Sequence, residues 1–141
     1  MVGPPSGRLP DQLQRATESL RAAGLDFALL ATPPNVTYVS GFEAPLPVGY
    51  VTEVTGWRPC LALLRSADGG GWLIAPDVLL DAAREQTWFE RVLSFDSLGH
   101  FAPVDPERSF SKALESALRE AGATTGAATV GIEPTLPAEA Q

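Results

Sequence analysis

The chain has 141 residues, seventeen acidic against ten basic, and a formal charge of -7. That length suits one domain able to bury roughly two-thirds of its unfolded surface, and the sign of the charge sets the chain against nucleic-acid phosphate and anionic membranes. No apolar run approaches the roughly 20 residues of a membrane span, and residues 1–7 lack the apolar core of a secretory signal, so a soluble, cytoplasmic protein is expected.

Residues 1–8 read as a flexible tail. A first helix is predicted over residues 9–23, with Pro10 early, Leu13, Ala16, Leu20 and Ala23 on its inner face, and Gly24 as its left-handed terminator. Residues 27–31 are a continuous apolar run, predicted to be a central strand covered on both faces. The segment Pro33-Pro34-Asn35-Val36-Thr37-Tyr38-Val39-Ser40-Gly41-Phe42 reads as a loop. In it Asn35 is a turn residue, Tyr38 packs its ring and hydrogen-bonds through its hydroxyl, Gly41 serves a backbone conformation that a side chain opposes, and Phe42 points inward.

The long connection from Phe42 to Pro59 carries Leu46, Val48, Tyr50, Val51, Val54 and Trp57 without strand alternation. Loops of that length are usually functional or disordered, and one this apolar must rest on a surface. Strands are predicted over residues 60–64 and 72–75, joined by a glycine-rich turn through Gly69, Gly70 and Gly71. Pro76-Asp77 opens a second helix with apolar contacts from Leu79, Leu80, Ala82 and Ala83, and residues 92–95 return as a strand. The third helix has Asp105 as cap, Pro106 at its first position, an inner stripe of Phe110, Ala113, Leu114, Ala117, Leu118 and Ala121, and Gly122 as terminator. A last strand covers residues 129–132. The order implies an α/β layer architecture with a mixed sheet.

Residues that could carry chemistry are few. Lone Cys60 reads as a small buried residue, since activating its thiolate needs a neighbouring base or cation. His100 is the single histidine, which excludes schemes needing several. Asp96, His100 and Asp105 could converge on a cation, but Asp105 is better used as a helix cap. Asp26, Asp96 and Glu133 are the candidates at strand margins for a two-metal nuclease, and solvated strand ends explain them more simply. The run of Gly69, Gly70 and Gly71 lacks the Lys-Ser/Thr of a phosphate loop and leads into a strand, so no cofactor motif remains in the chain.

Helix, strand, the Asn-x-x-Tyr-x-Ser-Gly-Phe segment at 35–42, Trp57-Arg58-Pro59 before an apolar strand, and Val130-Gly131-Ile132-Glu133-Pro134 together resemble the N-terminal domain of the creatinase, prolidase and Xaa-Pro aminopeptidase family. The resemblance implies a three-layer α/β fold, with a mixed sheet of about five strands flanked by helices in the manner of the ribonuclease H-like motif. It implies a non-catalytic domain over residues 9–134, with 135–141 starting a linker to a C-terminal pita-bread catalytic domain outside this chain. In that domain two divalent ions, manganese, cobalt or zinc, would be held by Asp, His and Glu side chains. The implied parent is a homodimeric Xaa-Pro dipeptidase or aminopeptidase acting on proline-containing peptides, with a creatinase-like amidinohydrolase or a free-standing binding module as alternatives. Trp57 and Arg58, with Tyr38, Asn35 and Phe42, are the implied candidates for substrate access or dimer contact. Arg58 has the chemistry for it, because a guanidinium binds a carboxylate through two parallel hydrogen bonds.

Overall fold

Helices and strands alternate along residues 10–44, 59–97 and 105–133, which a computed structural model describes. Their order is α1 (Asp11–Ala22), β1 (Phe27–Leu30), α2 (Pro33–Ser40), β2 (Leu61–Arg65), β3 (Gly71–Pro76), a 3-10 turn (Asp77–Leu79), α3 (Leu80–Gln86), β4 (Arg91–Phe95), α4 (Pro106–Ala121) and β5 (Val130–Ile132). The strands pair in the order β4-β3-β2-β1-β5. β1 is an inner strand, as its unbroken apolar run implies, but the middle position belongs to β2. β1 pairs antiparallel with β2 and parallel with β5, while β3 pairs antiparallel with β2 and parallel with β4. Four strands therefore run one way and β2 alone runs against them, so the carboxyl ends of β1, β3, β4 and β5 share one sheet edge with the start of β2.

Side-chain alternation along β2 and β3 divides the core. Leu61, Leu63, Trp72 and Ile74 face one layer with Phe95 and the α4 residues Phe110, Ala113, Leu114, Ala117 and Ala121. Ala62, Leu64, Leu73 and Ala75 face the other layer with Leu13, Val36, Val39, Phe42 and Phe89. Both faces of the middle strands are thus buried, at about 1.5–3 kcal/mol for each large apolar side chain removed from water. The three-layer arrangement agrees with the fold that the family resemblance implies.

α4 follows its sequence pattern closely: the Asp105 carboxylate accepts from the Arg108 N–H, the apolar stripe is inward, and Gly122 ends the helix at φ 81°. α1 differs on one point. Ala23, expected on the inner face, is exposed, and Thr17 is buried in the stripe, its hydroxyl donating to the Gln14 carbonyl at 2.8 Å. That local bond satisfies the polar group and allows its burial.

The glycine-rich β2–β3 turn is fastened by side chains. Arg65 reaches Asp68 through Nε at 2.9 Å and Nη2 at 2.6 Å, and the Asp68 carboxylate accepts from the Gly70 N–H at 2.9 Å. Gly71 belongs to the strand, where a Cβ would stand 2.2 Å from Cε1 of the Phe89 ring.

Candidate functional site

Most of the family-like segment 33–42 is helix, Pro33–Ser40, where a loop is expected. Pro33 and Pro34 have no N–H to leave unsatisfied, so they open a helix at no hydrogen-bonding cost, and the N–H groups of Asn35 and Val36 both donate to the Thr32 carbonyl at 2.9 Å. At the other end Gly41 takes the left-handed conformation, φ 74°, with its N–H donating to the Thr37 carbonyl. Ser40 turns its hydroxyl back to the Val36 carbonyl at 2.6 Å and receives the Phe42 N–H.

α2 is held from outside at both ends. At its C-terminal end the Ser40 carbonyl accepts from the Thr87 hydroxyl at 2.7 Å and the Trp88 N–H at 3.1 Å, and the Val39 carbonyl accepts from the Trp88 indole at 2.7 Å. Thr87 and Trp88 lie in the connection between α3 and β4, so α2 reaches from the end of β1 to that connection. At its N-terminal end one carboxylate gathers four donors. Oε2 of Glu133, just past β5, accepts from the Ala31 N–H, the Thr32 N–H and the Thr32 hydroxyl at 2.7, 2.7 and 2.8 Å. Its Oε1 accepts from the Asn35 side-chain amide. Partial burial raises the Glu133 carboxyl pKa, but the bonds from Asn35, Thr32 and Ala31 outweigh it and hold the group below its ordinary value.

The candidate residues fall into three groups. Asn35 and Tyr38 lie on the outer side of α2, one turn apart. Asn35 is a helical residue bound to Glu133, not a turn residue. Tyr38 is 43% exposed, not packed as expected, because position 38 faces away from the buried stripe of Val36, Val39 and Ser40. Phe42, 2% exposed, fills the core as its inward reading implies. Trp57 and Arg58 lie outside the described residues, as do the connection around them and His100.

The acidic residues do not assemble. Asp26 lies before β1 and accepts from the Thr129 N–H at 2.9 Å, whereas Glu133 lies beyond β5 at the opposite end of the strands. Asp96 follows β4, on the far edge of the sheet from β5, about 19 Å away at four strand spacings of about 4.8 Å. Asp105 is used by its helix. Among the described residues no three His, Cys, Asp or Glu side chains come together to hold a metal ion. The Cys60 thiol is buried, which pushes its pKa up to about 12 and keeps it protonated. A hollow of about 270 Å³ lies at the other end of the sheet, lined by Asp26, Phe27, Arg65, Ser66, Thr125 and small neighbours. The Arg65 guanidinium there is already committed to Asp68 and, at 3.1 Å, to the Ala121 carbonyl.

The creatinase/prolidase N-terminal domain family matches residues 12–140. The chain belongs to that family. No curated protein matches it, but solved structures share its fold. A prolidase from Pyrococcus horikoshii OT3 is 22% identical with a TM-score of 0.53, over 92% of this chain and 27% of that one. A recombinant prolidase from Thermococcus sibiricus is 17% identical with a TM-score of 0.60, over 90% of this chain and 29% of that one. The creatinase-type N-terminal domain of a Streptococcus thermophilus dipeptidase is similar across 88% of this chain and 92% of its own length, at 13% identity and a TM-score of 0.55. The chain spans less than a third of either prolidase. Two of the segments that carry the resemblance touch, through Asn35 in one and Glu133 in the other.

Proposed function

We propose that the chain serves as the non-catalytic N-terminal domain of a cytoplasmic Xaa-Pro dipeptidase or aminopeptidase, shaping access of a proline-containing peptide to a C-terminal pita-bread domain and contributing contacts to a homodimer. Family membership across residues 12–140 carries this reading. It is supported by prolidase structures in which a chain of this fold makes up just over a quarter of the whole. Such a peptidase uses two divalent ions, manganese, cobalt or zinc. Those ions belong to the catalytic domain, where they would supply an activated water.

The domain's own contribution is positional. α2, held at both ends, is a rigid support from which the chain continues toward Trp57 and Arg58 before re-entering the sheet at β2. In this reading the Arg58 guanidinium binds the carboxylate of a short peptide, while Trp57 and exposed Tyr38 offer aromatic surface to peptide or partner subunit. Excluding longer peptides follows from occupying one end of the cleft.

The test is hydrolysis of Xaa-Pro dipeptides, a longer Xaa-Pro peptide and creatine with manganese, cobalt or zinc. The 141-residue chain and the same chain continued into a pita-bread domain are compared. The chain alone is expected to be silent and the longer polypeptide to prefer an Xaa-Pro dipeptide. Turnover by the chain alone overturns the non-catalytic assignment, and a preference for creatine overturns the peptidase assignment.

A further inference from the structure

Asn35 and Glu133 are 98 positions apart, yet the carboxylate of one is built into the corner where the other's helix begins. The donors it gathers lie on both sides of that corner. The Ala31 and Thr32 N–H groups precede α2, and the Asn35 amide lies within its first turn. Since Pro33 and Pro34 contribute no N–H, Glu133 does not act as an ordinary helix cap. It ties the strand end to the helix through hydrogen bonds to Ala31, Thr32 and Asn35. The strand that leads into Glu133 is paired: β5 runs beside β1 in register, Phe27 opposite Val130 and Leu29 opposite Ile132. Gly131 lets Leu25 approach so closely that a Cβ there would stand 2.7 Å from Leu25 Cδ1.

We propose that Glu133 is a positioning residue that couples the point where the chain leaves the sheet after β5 to the orientation of α2. The relevance of this coupling to peptide turnover rests on the two-domain reading above; the coupling itself does not.

Hydrogen-bond chemistry supplies a specific test. Asn35→Asp sets carboxylate against carboxylate and removes the donor. Adding Glu133→Gln restores a donor–acceptor pair with the roles exchanged: the Gln oxygen can take the Ala31 and Thr32 N–H groups while its amide donates to residue 35. Amide hydrogen exchange in the 141-residue chain reads the outcome for wild type, Glu133→Ala, Asn35→Asp and the double variant. Exchange across α2 is expected to rise at least about tenfold in Asn35→Asp and Glu133→Ala, with β2 and β3 unchanged, and to return toward wild type in the double variant. If Glu133→Ala fails to fold, the Asn35→Asp pair still decides, because that side chain is exposed. Unchanged exchange in α2, an equal rise throughout the sheet, or no recovery in the double variant would each overturn the coupling. A longer wild-type polypeptide that hydrolyses no Xaa-Pro peptide counts against the proposed function alone, because the exchange pattern is read without turnover.

Discussion

The ring of Trp88 lies directly on the α-carbon of Gly41, so that a Cβ at position 41 would stand 2.5 Å from Cε3 and Cζ3. The same tryptophan takes the Val39 carbonyl through its indole N–H, so one side chain closes α2 sterically and through a hydrogen bond. Gly41 is also at φ 74°, and two independent penalties therefore meet there. Gly41→Ala is expected to cost about 1–3 kcal/mol for the left-handed backbone and a further 1–3 kcal/mol or so for overpacking. Gly122→Ala is the control, at φ 81° with nothing within 4 Å of the added methyl, and should lose only the backbone part. Urea denaturation of both variants checks this, and equal losses would show that the Trp88 contact carries no energy.

Acid should weaken the N-terminal anchor of α2. The folded-state pKa of Glu133 lies below its ordinary value of 4.5, so its contribution is present above that value and is lost as pH falls through the lower, folded one. Asp68, held down to about 2 chiefly by the Arg65 guanidinium, adds a loss of the same sign from 3.8 downward. Glu133→Ala should therefore be less stable than wild type near neutrality, by about 1 kcal/mol after allowance for solvent screening. The gap should narrow as pH falls from well above 4.5 to below the lowered, folded-state value. Denaturant midpoints for the two proteins across that range measure it, and a gap independent of pH would assign the effect to packing instead of charge.

Most of the fold is legible in local pattern, and the misses have physical causes. α4 carries every helix signal in its own residues, from the Asp105 cap to Gly122, and each appears in the structure. α2 carries contrary ones. Pro33-Pro34-Asn35 is strong turn chemistry, and only Val36 and Val39 supply an apolar face across eight residues, too few to announce a helical period. What stabilises this helix is supplied from far along the chain, by Thr87 and Trp88 at one end and Glu133 at the other. The carboxylate of Glu133 becomes a partner for residue 35 only through the parallel pairing of β1 with β5, which no local window shows. Family resemblance located both segments without revealing that they touch.

Cys60 should report on global unfolding. Its thiol is buried in the same core layer as Val39 and Phe42, and burial raises its pKa from 9.0 to about 12. Modification by an aromatic disulfide near pH 8 is expected to be at least about a hundredfold slower than in denaturant, and to accelerate along the denaturation curve. The sign for alkaline stability follows: the contribution is intact below 9.0 and is lost as pH rises toward about 12. Rapid labelling of the native protein would place this thiol at the surface and remove it from the core beneath α2.

Asp105 separates a structural role from a cation-binding one. Its carboxylate accepts from the Arg108 N–H at 3.1 Å at the start of α4, and Pro106 follows at the first helical position, as a helix start requires. Asp105→Ala should cost about 1 kcal/mol, and Asp105→Asn, which preserves the accepting oxygen, only a few tenths. If the residue is a cap, manganese or zinc leaves the denaturation midpoints of all three proteins unchanged. A metal-dependent rise in wild type that disappears in both variants would overturn the cap as its whole function, because asparagine keeps the hydrogen bond but not the charge that a divalent ion needs.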